Sequence, residues 1–136
     1  MKRLVILLSA ALLALGVAVS FAHDHEGMSD KSAAAAKKTI TGEVVDTGCY
    51  LSHGAHGEKH VSCATKCIGE GMPMGLLTAD GKLYLITLNH DNPDPYNKLK
   101  DMAGKTISIT GVVSTRSGMQ GIDITDVKLA AATPAK

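Results

Sequence analysis

Aromatic side chains are nearly absent from this chain. Its 136 residues include no tryptophan, three tyrosines and a single phenylalanine, Phe21, which lies in an apolar N-terminal segment. A core without large rings is built from valine, isoleucine, leucine, methionine and alanine, and a chain of this length can bury only a limited area. The sequence therefore indicates one small domain of modest stability.

An excess of charge of either sign is also lacking. Fourteen lysines and arginines face thirteen aspartates and glutamates, so the formal net charge is +1. Proteins that bind nucleic acid or anionic membranes through charge carry a basic excess. We therefore expect neither partner. The expected partner is a metal ion or another protein of the cell envelope.

The one long apolar run of the chain is short for a membrane span. It covers residues 4–19, follows Lys2 and Arg3, and precedes small residues at the −3 and −1 positions of a cleavage site, Ser20 and Ala22. A spanning helix needs roughly 20 residues, whereas this layout is typical of a secretory signal peptide. We expect a secreted or periplasmic protein without stable membrane insertion after cleavage.

The organisation of the remaining chain follows from its composition. Residues 1–22 are assigned to the signal peptide, and residues 23–38 have few large apolar groups, which predicts a flexible arm. Residues 39–130 carry the strand and helix patterns of a folded domain. Residues 131–136, rich in alanine, are predicted to form a frayed tail.

Alternation of apolar and polar residues predicts the strands of this domain. It begins at residues 40–45 and returns at 105–115 and 121–129, the last two joined by a turn. Asp80-Gly81 separates two apolar runs, which is a strong short-range indication of a β-hairpin. Ile107, Ile109 and Val113 share one face of their strand, and we expect them to point into the core.

A short helix is predicted before the fourth strand. Asp94 is placed as its N-cap, Pro95 as its first helical residue and Gly104 beyond its last turn. Tyr96, Leu99 and Met102 follow at intervals of three and form one apolar face.

The element order is strand, long insertion, strand, strand, short helix, strand, strand. It resembles the OB-fold, a mainly β, five-stranded barrel with a short helix between strands 3 and 4. Here a Cys/His-rich helical insertion would lie between strands 1 and 2. An antiparallel sheet packed on a helix without closure is the alternative. In layout, residues 39–129 also look like small secreted OB-like proteins of bacteria, a resemblance that implies no functional residue.

The insertion, residues 48–74, lacks the familiar cysteine motifs. It contains no CxxC, as in thioredoxin-like proteins, and no CxxCH, so covalent haem is excluded. It nevertheless holds all three cysteines of the chain, Cys49, Cys63 and Cys67. Connections of this length are usually functional or disordered, and clustered cysteines argue against disorder.

A helix is predicted from about Gly57, ended by the glycines that follow Cys67. His60, Cys63 and Cys67 would then lie on one face, because residues three and four apart are helical neighbours. Cys49, placed at the end of the first strand, could approach that face. No Asp or Asn that could orient His60 is evident, so a binding module is favoured over an enzyme.

Disulfide pairing is the common fate of neighbouring cysteines in an oxidising compartment. Cys49 is the expected partner of Cys63 or Cys67, since cysteines one helical turn apart seldom have disulfide geometry. A stapled structural or protein-interaction domain is therefore one alternative. The odd third thiol calls for another role, and a thiol-redox protein is a second alternative.

A soft-metal site is the interpretation we prefer. Thiolate, thioether and imidazole ligands together suit copper as Cu(I), with zinc as second choice. Cys49, His60, Cys63 and Cys67 would provide a Cys3His set, while Met72 and Met74 could add thioethers.

A second copper site is predicted at the new amino terminus. Cleavage after Ala22 exposes His23-Asp24-His25, and a free amine with histidine at position three can hold Cu(II) in a square plane. His23 could also chelate through its own amine and ring.

Overall fold

The structure, a computed structural model, describes residues 36–130. The assigned signal peptide, residues 23–35 of the arm and the tail lie outside this range, so the predictions made for them remain predictions. The last two residues of the predicted arm, Lys37 and Lys38, belong to the first strand instead, because they pair with Val112 and Gly111. The described chain is mainly β, with few and short helices. Its elements are β1 (Lys37–Asp46), α1 (Thr47–His53), a 3-10 turn (Glu58–His60), α2 (Val61–Gly69), β2 (Met74–Leu77), β3 (Leu83–Thr87), α3 (Asp94–Leu99), β4 (Thr106–Arg116) and β5 (Met119–Leu129).

The five strands form one sheet that closes in a ring. Their order around it is β1, β2, β3, β5, β4, and β4 pairs back onto β1. Four of the pairings are antiparallel, and β3 with β5 is parallel. The predicted strand order along the chain is confirmed, and closure removes the open-sheet alternative. No helix within the described range combines the length and apolar character needed to cross a membrane.

The turns and the helix that join the strands agree largely with the sequence prediction. β2 and β3 form the hairpin expected at Asp80-Gly81, with Gly81 at φ +80°. α3 begins one residue before the prediction: Pro93 occupies the N-cap position, makes no capping bond, and Asp94 is already helical. Pro93 fits this position because its ring fixes φ near the value of a helix, so the helix can begin directly after it.

A β-bulge in β5 keeps apolar residues on the inner face of the sheet. Ile122 and Ile124 are fully buried, and strict alternation beyond them would turn Asp126 into the core. Thr125 is an extra residue in the pairing of β5 with β4, so the alternation shifts by one. Val127 consequently packs against the core, and Asp126 remains exposed.

The core lies inside the ring and is aliphatic, as the lack of aromatics predicts. Ile107 and Ile109 are fully buried, and Val113 is partly buried against the same cluster. Leu99 of α3 is fully buried beside the partly buried Tyr96 and Met102, which confirms the predicted apolar face. The buried members are Val44, Ala64, Ile68, Met74, Leu76, Ile86, Leu99, Ala103, Ile107, Ile109, Ile122 and Ile124.

Two glycines allow strands of the ring to approach closely. A Cβ on Gly42 would lie 2.6 Å from the carbonyl oxygen of Leu77, and one on Gly111 would collide with the carbonyl of Asp123. Both glycines end an Ile-Thr-Gly triplet, at residues 40–42 in β1 and 109–111 in β4, and these contacts explain the glycine of each, since no other residue leaves room for the neighbouring backbone.

Shortening Ile109 should test the packing of the ring. Ile109→Ala should lower the free energy of unfolding by about 2–5 kcal/mol, because it leaves a cavity in a fully buried position. Denaturant unfolding followed by circular dichroism measures this change, and Ser114→Ala on the exposed end of β4 is the control. A loss for Ile109→Ala no larger than that of the control would contradict the inward orientation.

Candidate metal site

The two ends of the cysteine-containing insertion are held together by β1 and β2. Asp46, the last residue of β1, pairs with Met74, the first residue of β2. The backbone N–H of Thr47 donates to the carbonyl of Pro73 over 3.0 Å. The start of α1 and the segment that follows α2 therefore leave the ring side by side.

α1 was not predicted from the sequence, and it places Cys49 differently from the expectation. Cys49 lies in the first turn of this helix and not at the end of a strand. Asp46 caps the helix: its Oδ1 accepts from the N–H groups of Gly48, at 2.7 Å, and Cys49, at 3.1 Å. Gly54 ends the helix in the left-handed conformation at φ +67°.

α2 presents the other two cysteines one helical turn apart. Its buried residues, Ala64 and Ile68, anchor it in the core. Cys63 and Cys67 precede these two residues by one position each, so they lie along the border of the buried face. Cys63 is exposed and Cys67 is half-buried.

The sulfur atoms of Cys49, Cys63 and Cys67 form a cluster in which all lie within 4.8 Å of one another. The three are free thiols, and the disulfide expected for Cys49 is not formed. Three sulfurs this close can hold a metal ion. We call this group the cysteine cluster.

A buried carboxylate, that of Asp46, neighbours two members of the cysteine cluster, Cys49 and Cys67. Asp46 is only 1% exposed; its Oδ1 accepts the two capping bonds, while its Oδ2 has no hydrogen-bond partner among the described residues. Partial burial raises the pKa of the Cys67 thiol to about 12, and Asp46 and Cys63 add to the effect. The pKa of Cys49 is raised by partial burial, then by Asp46 and Cys63. Both thiols are therefore held neutral in the metal-free protein.

His60, a predicted ligand, is not part of the cluster. The predicted continuous helix begins instead as a 3-10 turn, which ends at His60, and α2 starts only at Val61. His60 is only the N-cap of α2, at φ −108°, so its side chain does not continue the helical face that carries Cys63 and Cys67. His60 is exposed and lies beside Val61 and Gly104, near β1.

The two candidate methionines have different environments. Met72 is 41% exposed; its N–H donates to the carbonyl of Cys67 over 2.9 Å, and its methyl group lies against Gly48. It therefore bridges the end of α2 and the start of α1, next to the cluster. Met74 is fully buried in the hydrophobic core. Packing accounts for its presence, and no described feature joins it to the sulfurs.

The remaining candidate histidines fall elsewhere. His23 and His25 lie outside the described residues, so the predicted Cu(II) site remains a prediction. His56 is exposed, and its Nδ1 is 3.8 Å from Oε2 of Glu43. Oε1 of Glu43 accepts the N–H of Gly57 at 2.5 Å, so this carboxylate ties the loop between α1 and the 3-10 turn to β1.

Asp46 is the residue of the site that the sequence interpretation missed. Aspartate is a typical residue at the start of a helix, and glycine at its end. Asp46 precedes Cys49, and Gly54 follows eight positions after Asp46, which is the spacing of a short helix. Applied to this segment, that pattern would have predicted α1 and the position of the carboxylate.

Comparison with known proteins supplies no relative for this chain: no family model matches it, and neither does any curated protein or solved structure.

The raised pKa of Cys67 should be measurable as slow alkylation. In the metal-free folded protein at pH 8, iodoacetamide should modify Cys67 about 10–100-fold more slowly than in the unfolded chain, because the thiolate is the nucleophile. The rate should keep rising above pH 9, since the pKa lies near 12 and not at the ordinary value of 9.0. Timed alkylation with peptide mass spectrometry measures both effects.

Asp46→Asn is the informative variant for this experiment. It keeps an oxygen to cap α1 but removes the carboxylate whose hydrogen bond raises the pKa of the Cys67 thiol, so Cys67 should react faster than in the wild type. A rate for Cys67 that levels off near pH 9 in the wild-type protein would contradict the raised pKa.

Proposed function

We propose that the protein is a secreted or periplasmic binding module that holds one soft metal ion, Cu(I) by preference, through Cys49, Cys63 and Cys67. The observation that supports it is the convergence of these three sulfurs within 4.8 Å. The closed five-stranded ring, with α3 between β3 and β4, acts in this proposal as an OB-like barrel whose insertion carries the site.

The distances between the sulfurs suit a metal–thiolate centre. A metal–sulfur bond of about 2.3 Å places ligand sulfurs about 4 Å apart around the ion. The sulfurs of the cysteine cluster are at most 4.8 Å apart, so only a small shortening of the distances between them is needed to reach this arrangement.

The chemistry of the ligand set favours Cu(I). Thiolates are soft ligands, and they select Cu(I) and Zn(II) over harder ions such as Mg²⁺ or Ca²⁺. Three sulfurs complete a trigonal Cu(I) site, whereas a structural Zn(II) site requires a fourth ligand. Met72, half-exposed beside the start of α1, offers a further soft donor at the edge of the cluster.

The accessibility of the site favours a role in carrying a metal over a purely structural one. Structural metal sites are closed, but Cys63 is exposed to solvent. An open thiolate allows a metal to pass to or from the ligands of another protein. The partner in this proposal is accordingly another protein of the cell envelope.

Thiol-redox chemistry is the less favoured alternative. Reactive cysteines in redox proteins have lowered pKa values, because the thiolate is the attacking species. Here the pKa values of Cys49 and Cys67 are raised, by partial burial and by the neighbouring Asp46. The raised pKa values do not prevent metal binding in the same way, since a bound ion replaces the thiol protons.

A competition titration against a chromophoric Cu(I) chelator tests the proposal. Reduced wild-type protein should take one Cu(I) from the chelator, and Cys63→Ser/Cys67→Ser should bind it more weakly by more than about 100-fold, because two of the three ligands are lost. Affinity should also fall in acid, because protons compete for the sulfurs.

His60→Ala is the matched control for the cysteine variant. It removes a metal-ligating residue type from the same segment but from outside the cluster, so its Cu(I) affinity should equal that of the wild type. Equal Cu(I) binding by the wild type and the double cysteine variant would refute the proposed site.

A further inference from the structure

The free oxygen of Asp46 is the feature of the insertion that the three-sulfur site does not use. The side chain is 1% exposed, and its Oδ2 has no hydrogen-bond partner within residues 36–130. A buried carboxylate oxygen that lacks a well-formed hydrogen bond is costly, because it has lost water and is offset here only by the weak donors of the neighbouring Cys49 and Cys67 thiols. A cation bound to this oxygen would compensate for its burial.

The capping bonds of α1 fix the direction of this oxygen. Oδ1 accepts from Gly48 at 2.7 Å and from Cys49 at 3.1 Å, so the carboxyl group cannot rotate toward solvent without uncapping the helix. Its bond to the N–H of Cys49 keeps the carboxyl group beside that residue, although its oxygens are not among the atoms that all lie within 4.8 Å of one another, so ligation would draw the sulfurs and the carboxylate closer together. The Asp46 carboxylate is also close enough to accept weak hydrogen bonds from the thiols of Cys49 and Cys67, whose pKa values it raises.

We propose that Oδ2 of Asp46 is the fourth ligand of the site when it holds a divalent ion such as Zn(II), so that the site becomes a Cys3Asp tetrahedron. This inference deepens the proposed function and rests on the cysteine cluster as the metal site. It assigns to a residue that already caps a helix a second role, in metal selection.

The chemistry of the two ions explains why Asp46 would distinguish them. Zn(II) is of borderline softness and accepts carboxylate oxygens at about 2.0–2.2 Å in four-coordinate sites. Cu(I) prefers sulfur and is satisfied by the three thiolates alone. A dication also balances more of the negative charge that three thiolates and one carboxylate bring together, so Asp46 should strengthen divalent binding selectively.

Asp46→Asn separates the ligand role from the structural role. Asparagine caps helices as well as aspartate does, so the bonds to Gly48 and Cys49 can be kept, while an amide NH2 group replaces the free oxygen. Asp123→Asn is the matched control, because Asp123 also has a buried oxygen without a partner but lies on β5, outside the insertion.

The experiment measures Zn(II) and Cu(I) affinities by chelator competition, together with the visible spectrum of the Co(II)-loaded protein. Asp46→Asn should lower the Zn(II) affinity by about 10–100-fold and change the Co(II) d–d bands, while its Cu(I) affinity should change much less. Asp123→Asn should match the wild type in all three measurements. Melting temperatures of the metal-free variants show whether each remains folded.

Two results would overturn the inference. One is a Co(II) spectrum and a Zn(II) affinity of Asp46→Asn equal to those of the wild type. The other is an equal loss of Zn(II) and Cu(I) affinity, which would mean that Asp46 acts only through the fold. Failure of the cysteine site itself would differ from both, because Cys63→Ser/Cys67→Ser would then bind every metal as the wild type does.

Discussion

The rest of the site depends on the capping of α1 by the buried carboxylate of Asp46. Asp46 ends β1, pairs across the sheet with Met74, and caps α1 through two hydrogen bonds. The cap starts the helix that turns Cys49 toward α2, and so brings the third sulfur to the other two. An aspartate at this position costs stability because one of its oxygens is buried with only weak thiol donors beside it, a cost that the proposed metal ligation would remove.

The ring supplies a rigid base, and the insertion supplies the chemistry. β1 and β2 clamp both ends of the insertion, while Ala64 and Ile68 fasten α2 to the core. Glu43 holds the intervening loop from the side of β1. The positions of the cysteines are thus fixed by backbone pairing and packing, with no disulfide among them.

Much of the fold could be predicted from the sequence because its signals are local. The Asp80-Gly81 hairpin, the apolar face around Leu99 and the buried Ile109 follow from turn chemistry and periodicity. The bulge at Thr125 and the 3-10 turn before α2 could not, since each depends on how distant strands or helices pack. For the site, spacing predicted the Cys63–Cys67 face, but the approach of Cys49 required α1. His60 lies outside the cysteine cluster because it stands at the N-cap of α2, ahead of the regular helix.

The three thiols are proposed to hold a metal. The most direct test uses protein isolated from its native compartment under anaerobic conditions. Metal analysis alongside a thiol count after denaturation in chelator addresses it in one preparation. The account predicts about one copper or zinc ion per chain and recovery of all three cysteines as free thiols. A metal-free protein in which two of the cysteines are joined in a disulfide would contradict it.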